Sequence, residues 1–171
     1  MEEKTTFDGS KEVILAAIPH RPPFLFVDEI REWSDEEIVC AYRFKEDEFF
    51  FAGHYPGAPI VPGVVLCEAA MQAGAIFTSR LIAAQEAENA ENAENGGDGQ
   101  AGEPGVELKP VVGRINDVKF KRIVRPGETV ELRVSFKEKM AAAYFLKAKV
   151  YCEGKLAVSF EFAVTMAPAA V

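Results

Sequence analysis

One long apolar run, residues 64–84, dominates the hydrophobic pattern of the chain. It contains no proline, and Pro62 just before it suits a first helical turn because proline lacks the N–H that would have no partner there. The run is apolar on nearly all sides, so we expect a buried helix of roughly 20 residues. Small residues along the run would let this helix lie close to a curved sheet; they are Ala69, Ala70, Ala73, Gly74 and Ala75.

Strand-like stretches flank the apolar run on both sides. Before it, residues 24–33 and 37–45 predict a hairpin joined by a polar turn. After it, alternating apolar and polar residues predict four strands, with glycine-containing turn signals at 125–128 and 153–154. These four strands span 111–123, 129–139, 142–152 and 155–166. Near the start of the chain, Ser10 is a candidate cap for a short helix that ends at Ala17.

The order of elements predicts an α+β fold in which a curved antiparallel sheet wraps around a long central helix. The length of 171 residues fits a single domain spanning residues 1–171. Residues 85–105 interrupt the pattern with three Ala-Glu-Asn repeats and several glycines. Such a composition buries too little apolar surface to offset its ordering entropy, so we expect a flexible low-complexity insertion outside the core.

Composition and charge narrow the functional classes. The net charge of −8 argues against nucleic acid as a partner, because phosphate binding needs basic surface. Three cysteines that are far apart and form no C-x-x-C motif predict reduced thiols in a cytoplasmic protein. The N-terminal residues show no signal peptide. The apolar run includes Glu68, Gln72 and Arg80, which favours a core helix over a membrane span.

Three polar residues in the apolar run and the loop before it are candidates for chemistry. His54 lies in a loop stiffened by glycine and proline, while Glu68 and Gln72 are four residues apart and share one helix face. A buried carboxylate is costly without a partner, so Glu68 indicates either a reactive group or a buried ion pair. His20, beside a run of prolines, is interpreted as structural. Two histidines and scattered cysteines give no metal-ligand cluster, so we expect no metal.

Three stretches resemble the signature motifs of one known family. They read PHRPPFLFVDEI at 19–30, GHYPGAPIVPGVVLCEAAMQAGA at 53–75 and INDVKFKRIVRPGETV at 115–130. In this order they are similar to the 3-hydroxyacyl-[acyl-carrier-protein] dehydratases of the FabZ type, and the resemblance covers nearly the whole chain outside residues 85–105. The sister FabA type carries Asp at the position of Glu68, so Glu68 favours the FabZ type.

This resemblance implies a hot-dog fold, homodimers with a continuous sheet, and a trimer of such dimers. It also implies that His54 and Glu68 are the catalytic pair and come from different subunits. The implied substrate is a (3R)-3-hydroxyacyl thioester on an acyl carrier protein, and the product is the trans-2-enoyl thioester of fatty acid biosynthesis. No cofactor is expected, because the thioester itself acidifies the C2 proton.

The residues suit that chemistry. Neutral His54 is a base for the C2 proton, and Glu68, kept protonated in apolar surroundings, is an acid for the leaving hydroxyl. Unpaired N–H groups of Gly63 and Val64 at the start of the helix would hold the thioester carbonyl. Gln72, one turn beyond Glu68, would orient the carboxyl group.

A basic strip at residues 108–126 carries six basic residues and one acid, a balance of +5 that leaves −13 for the rest of the chain. Lys121, Arg122 and Arg125 are the candidate contacts to an acidic carrier protein. An equally weighted alternative is that these basic residues are ordinary solvated ends of strands without a partner.

Two other functions stay as hypotheses. A hot-dog acyl thioesterase would use a carboxylate to activate water, and the pairing of His54 with Glu68 argues against it. A non-catalytic acyl-binding subunit would need neither residue. The aromatic run at residues 49–51 is interpreted as packing rather than substrate contact.

Overall fold

The computed structural model describes residues 11–94 and 108–168. This part of the chain contains two helices and six strands. In order, they are α1 (Lys11–Ala17), β1 (Glu29–Trp33), β2 (Glu37–Arg43), α2 (Gly63–Glu94), β3 (Leu108–Phe120), β4 (Thr129–Met140), β5 (Ala143–Cys152) and β6 (Lys155–Pro168). The predicted cap at Ser10 lies outside the described residues.

The six strands form one antiparallel sheet in the order β1-β2-β4-β5-β6-β3. Helix α2 packs against the sheet, and α1 packs against α2. Alternate residues of β4 and β6 are buried, as the sequence pattern predicted: they include Val130, Leu132 and Val134 on β4 and Val158, Phe160, Phe162 and Val164 on β6. The predicted α+β arrangement is therefore confirmed, with β3 at one edge of the sheet.

Small residues let α2 lie close to the sheet. Ala69, Ala70 and Ala73 are fully buried. A Cβ atom built on Gly74 would lie 2.5 Å from the Phe162 ring, so this contact requires glycine. The most apolar part of α2, within Gly63–Glu91, has the length and composition of a membrane span, but 61% of that window is buried inside the protein. That is the pattern of a core helix.

The predicted turns are present. Glu153 and Gly154 join β5 to β6 with positive φ angles of 50° and 71°, as a type I′ hairpin requires. The turn at 125–128 is closed by a 3.2 Å hydrogen bond from Glu128 N to Arg125 O. Gly127 there has a φ of 83°, which explains the glycine.

The largest boundary error concerns the first strand. Residues 24–33 were expected to form one strand, but β1 begins only at Glu29. The preceding residues pair with a helix side chain instead: Phe26 N donates to Gln72 Oε1 at 2.8 Å, and Gln72 Nε2 donates to Phe24 O at 3.2 Å. Local alternation cannot reveal that a side chain 46 residues away takes the place of a strand partner.

Helix α2 runs beyond the predicted 20 residues to Glu94, so the first part of the expected insertion, residues 85–94, extends the helix. Adding residues to an existing helix costs far less than nucleating one, which lets the Ala-Glu-Asn repeats continue it. Gln85 fixes the start of this extension, since its Oε1 accepts a 2.5 Å hydrogen bond from Lys139 Nζ. Side chains at 85–91 are exposed, outside the core as expected. The remaining insertion, 95–105, lies outside the described residues.

Candidate active site

His54 is fixed by the loop that leads into α2. Its backbone N donates to Phe50 O, and its carbonyl accepts from Ile60 N, both at 3.0 Å. Its imidazole stacks on the Tyr55 ring at a centroid distance of 4.2 Å. These contacts hold the side chain of His54 in a defined orientation on a loop of otherwise irregular structure.

One ring nitrogen of His54 is already occupied. Nδ1 lies 3.0 Å from the carbonyl oxygen of Ile60. A carbonyl only accepts, so Nδ1 carries the proton and Nε2 keeps its lone pair in the neutral ring. His54 is therefore prepared to accept a proton at Nε2, which is the state that a general base needs.

His54 lies in an apolar pocket of about 370 Å³. Among the described residues that line this pocket, the polar side chains are His54 and the positively charged Arg122. The other lining residues are Ile60, Val61, Pro62, Gly63, Val64, Leu66, Phe120 and Ile123. An apolar wall with few polar groups is typical of a binding site for a small apolar molecule.

The first turn of α2 opens into the same pocket. Val65 N and Leu66 N both donate to Pro62 O, at 2.9 and 3.3 Å. Within the described residues, no acceptor contacts the N–H groups of Gly63 and Val64. Two free donors at the positive end of a long helix favour a negatively charged oxygen there, and the oxyanion role of Gly63 and Val64 stays a prediction. The arrangement brings His54, Gly63 and Val64 together around one space.

Phe120 covers the helix start, a contact that the sequence analysis did not identify. A Cβ built on Gly63 would lie 2.6 Å from Phe120 Cε1. The aromatic ring thus occupies the space that a side chain at position 63 would take. Phe120 lines the pocket and is still 56% exposed.

Glu68 and Gln72 form the second polar cluster, one turn apart on α2. Gln72 Nε2 donates to Glu68 Oε1 at 2.9 Å, which confirms the expected contact. Gln72 itself is 1% exposed and is held by the 24–26 backbone. Glu68 keeps 23% of its side-chain surface exposed, so its carboxyl is reachable from outside this chain.

Within one chain, Glu68 is not among the residues that line the His54 pocket. The pairing of His54 with Glu68 from a second copy therefore stays a prediction. It is consistent with the exposure of Glu68 and with the opening of the His54 pocket at the protein surface.

The three candidate carrier contacts differ in their surroundings. Lys121 and Arg125 are exposed. The Arg122 guanidinium is instead held by Glu153 at 2.6 Å and lies 3.9 Å from Glu128. Its hydrogen bond to Glu153 raises the pKa of Arg122. Arg122 is therefore a structural contact as well as a pocket residue, unlike its two neighbours.

Sequence reasoning missed the position of His20. His20 was interpreted as a structural residue, and the structure places its Nε2 3.6 Å from Glu68 Oε1. The signal was present in the sequence, because His20 lies within the first signature stretch and Glu68 within the second. Among the described residues, no group of three His, Cys, Asp or Glu side chains has the arrangement of a metal site.

A six-stranded antiparallel sheet packed against one long helix, with a histidine in the loop before that helix and a glutamate on it, defines a protein of the hot-dog class. The chain belongs to the FabA-like domain family, whose model matches residues 18–161.

Relatives in sequence include the 3-hydroxyacyl-[acyl-carrier-protein] dehydratase FabZ of Burkholderia thailandensis, 34% identical over 96% of this chain and 91% of that protein. FabZ of Syntrophobacter fumaroxidans is 30% identical over 91% of this chain and 92% of its own.

Solved structures agree on the fold. The dehydratase heterocomplex ApeI:P from Xenorhabdus doucetiae is similar with a TM-score of 0.63, at 13% identity and 90% coverage of both chains. The TT0310 protein from Thermus thermophilus has a TM-score of 0.53 at 19% identity, covering 85% of this chain and 98% of that one. The hot-dog fold expected from the sequence is therefore confirmed.

Proposed function

We propose that this protein is a (3R)-3-hydroxyacyl-[acyl-carrier-protein] dehydratase, which forms trans-2-enoyl thioesters in cytoplasmic fatty acid biosynthesis. The observation that carries the proposal is the bond between His54 Nδ1 and Ile60 O, which leaves Nε2 as a free base inside an apolar pocket. Free N–H groups of Gly63 and Val64 in that pocket supply the matching oxyanion donors.

The reaction removes water without a cofactor. Nε2 of His54 takes the C2 proton of the substrate, and the C–H electron pair moves toward the thioester carbonyl. The N–H groups of Gly63 and Val64 stabilise the negative charge on that oxygen. As the C2–C3 double bond forms, the C3–O bond breaks, and the hydroxyl leaves as water with the proton of Glu68. The proton on His54 then returns to Glu68.

This scheme takes Glu68 from a second copy of the chain, since Glu68 does not line the His54 pocket of its own chain. Strand β3 supports such a pairing. It is 13 residues long, lies at the edge of the sheet, and carries exposed apolar side chains, which are Val111, Val112, Ile115, Val118 and Phe120. An exposed apolar edge strand favours pairing with a second strand. Antiparallel pairing of two β3 strands would join two sheets into one, and three such dimers would form the hexamer.

The proposed thioester carrier is an acyl carrier protein. Exposed Lys121 and Arg125 follow β3 and lie close in sequence to Phe120 and Ile123, which line the pocket. Their positive charge on a protein of net charge −8 favours an acidic partner at the pocket entrance.

A spectroscopic assay tests the function. Conversion of a 3-hydroxyacyl thioester to the enoyl thioester is followed by absorbance, and thiol release is measured in parallel to detect thioesterase activity. His54→Ala and Glu68→Gln should each lower kcat by about 100-fold or more. Wild-type rates in both variants, or thiol release as the main reaction, would overturn the assignment.

Mixing the two variants tests the shared site. In a mixed dimer, His54 of one chain and Glu68 of the other complete one of two sites. Half of randomly assembled dimers are mixed, so about a quarter of the wild-type activity should return. A mixture as inactive as its components, with exchange of chains verified, would place both residues in a single-chain site.

A further inference from the structure

Two nitrogen atoms approach the same oxygen of the Glu68 carboxyl group. Gln72 Nε2 donates to Oε1 at 2.9 Å, and His20 Nε2 lies 3.6 Å from that atom. Within the described residues, no hydrogen bond reaches Oε2. The carboxyl therefore has one oxygen surrounded by its own chain and one oxygen free for a substrate.

The surroundings of His20 select its tautomer. Nδ1 is buried and has no hydrogen-bond partner among the described residues. A proton on Nδ1 would leave a buried donor unsatisfied and turn the Nε2 lone pair toward the carboxyl oxygen. A proton on Nε2 avoids both costs and directs an N–H toward Glu68. Neutral His20 therefore carries its proton on Nε2, opposite to His54, whose proton is on Nδ1.

We propose that His20 is a positioning residue for the acid of the reaction: Gln72 holds Oε1 and leaves the transferable proton on Oε2, and the Nε2–H of His20 faces Oε1 to stabilise the charge that develops there. This proposal rests on the dehydratase function argued above. At 3.6 Å in this structure the contact is too long for a hydrogen bond. As the proton leaves and charge develops on the carboxyl, the N–H closes this gap.

An interaction that strengthens only as charge develops lowers the barrier rather than the substrate affinity. His20 therefore affects kcat more than KM. No other charged side chain is recorded against the Glu68 carboxyl in the described chain: Arg21 donates to the carbonyls of Leu15, Ile18 and His20. The neighbouring Cys67 thiol has its pKa raised to about 11 by burial and is neutral at working pH. In the proposed dimer, His54 of the second copy is the remaining titratable group.

Substitution of His20 provides the kinetic test. His20→Leu removes the donor and should lower kcat about tenfold with little change in KM. His20→Gln places an amide N–H near the position of Nε2 and should stay within about twofold of wild type. In the pH profile of His20→Leu, the limb that reports Glu68 should move to higher pH by about half a unit, because the Glu68 carboxylate has lost a hydrogen-bond donor. The limb that reports His54 should not move. Equal kcat in wild type and His20→Leu, equal losses in both variants, or an unmoved profile would overturn the proposal.

Nitrogen NMR tests the tautomer without activity and in the unmodified protein. The sequence contains only two histidines, so ¹⁵N-histidine labelling gives two ring systems, and His54→Ala assigns them. At pH 8, His20 should show protonated Nε2, and His54 protonated Nδ1. A proton on Nδ1 of His20 would overturn the proposal, even where His20→Leu does not fold. A protein without dehydratase activity but with the expected tautomer would instead contradict the proposed function.

Discussion

The side-chain amide of Gln72 joins Glu68 to the backbone of residues 24–26, donating to Glu68 Oε1 at 2.9 Å and accepting from Phe26 N at 2.8 Å. Because Gln72 is fully buried, these bonds form without competition from water. One side chain thus fixes both the acid candidate and the loop that replaces the first half of the expected strand.

We expect Gln72→Leu to lower both stability and activity. The substitution leaves the Phe26 N–H buried and unpaired, at a cost of about 1–3 kcal/mol in the free energy of unfolding. It also frees the Glu68 carboxyl, so kcat should fall about tenfold. Urea unfolding and steady-state kinetics measure the two effects.

Thr78→Val is the matched control for Gln72→Leu. Thr78 is the other fully buried polar residue recorded on α2, but its hydroxyl bonds only to Gly74 O in its own helix, at 2.8 Å. Loss of this hydrogen bond should change neither kcat nor the conformation of residues 24–26. If the two variants behaved alike, the link from Gln72 to the site would be rejected.

The close approach of Phe120 to Gly63 has a rescue test. Gly63→Ala places a methyl group 2.6 Å from Phe120 Cε1, so the ring must leave its position over the helix start. We expect lower kcat/KM with small loss of stability, because Phe120 is largely exposed and free to move. Adding Phe120→Ala should remove much of the penalty that the added methyl group causes. A purely additive double-mutant cycle would show that the two positions do not interact.

Strong alkali should destabilise the fold. Burial raises the pKa of Cys40 to about 12 and that of Cys67 to about 11, from 9.0. The pKa of Tyr42 is also raised, first by burial and then by its hydrogen bond to Glu48. Each group stays neutral in the folded state while the unfolded chain ionises, so stability is complete below about pH 9 and falls as pH rises toward 11–12.

Denaturation midpoints at pH 8 and pH 10.5 measure this loss, which reaches about 1.4 kcal/mol per pH unit for each group that is ionised only in the unfolded chain. A variant with alanine at Cys40 and Cys67 should show a shallower slope. An unchanged slope would mean that the thiols do not carry the effect.

Charge reversal at the exposed basic pair tests the carrier surface. Lys121→Glu with Arg125→Glu should raise KM for acyl carrier substrates at least fivefold and leave KM for short thioester mimics unchanged, since only the former has a charged partner. Arg122 is kept, because its ion pair with Glu153 belongs to the fold.

Lys147→Glu with Lys149→Glu provides the same change of charge at exposed positions on β5. This control should leave both KM values at the wild-type level. If KM for the carrier substrate rose equally in the two double variants, the effect would come from the net charge of the protein and not from the position of Lys121 and Arg125.

Most of the fold could be predicted because its signals are local. Alternation identifies β4 and β6, and the Glu153-Gly154 pair identifies the hairpin of β5 and β6. A long apolar run without proline identifies α2. Spacing also predicted the Glu68–Gln72 contact, since residues four apart share a helix face.

Two features that the sequence did not reveal depend on contact between distant parts of the chain. Phe24 to Phe26 resembles a strand, yet its backbone pairs with the side chain of Gln72 on a helix, which local pattern cannot reveal. His20 resembles a turn residue until tertiary structure brings it to Glu68. The His54 tautomer likewise depends on the fold of its loop, where Ile60 O reaches the ring.

Helix α2 also limits how this chain can change in length. Its first turn holds the Gly63 and Val64 donors and its second turn holds Glu68, about 7.5 Å further along the axis at 1.5 Å per residue. Inserting one residue between them would rotate the carboxyl by roughly 100° about the helix axis and turn it away from the second copy of the chain, to which it contributes in the proposed dimer. Beyond Gln85 the same helix has left the core, and added residues there leave the register of the site intact. The Ala-Glu-Asn repeats thus occur at the end of α2 where a change in helix length does not move the residues of the site.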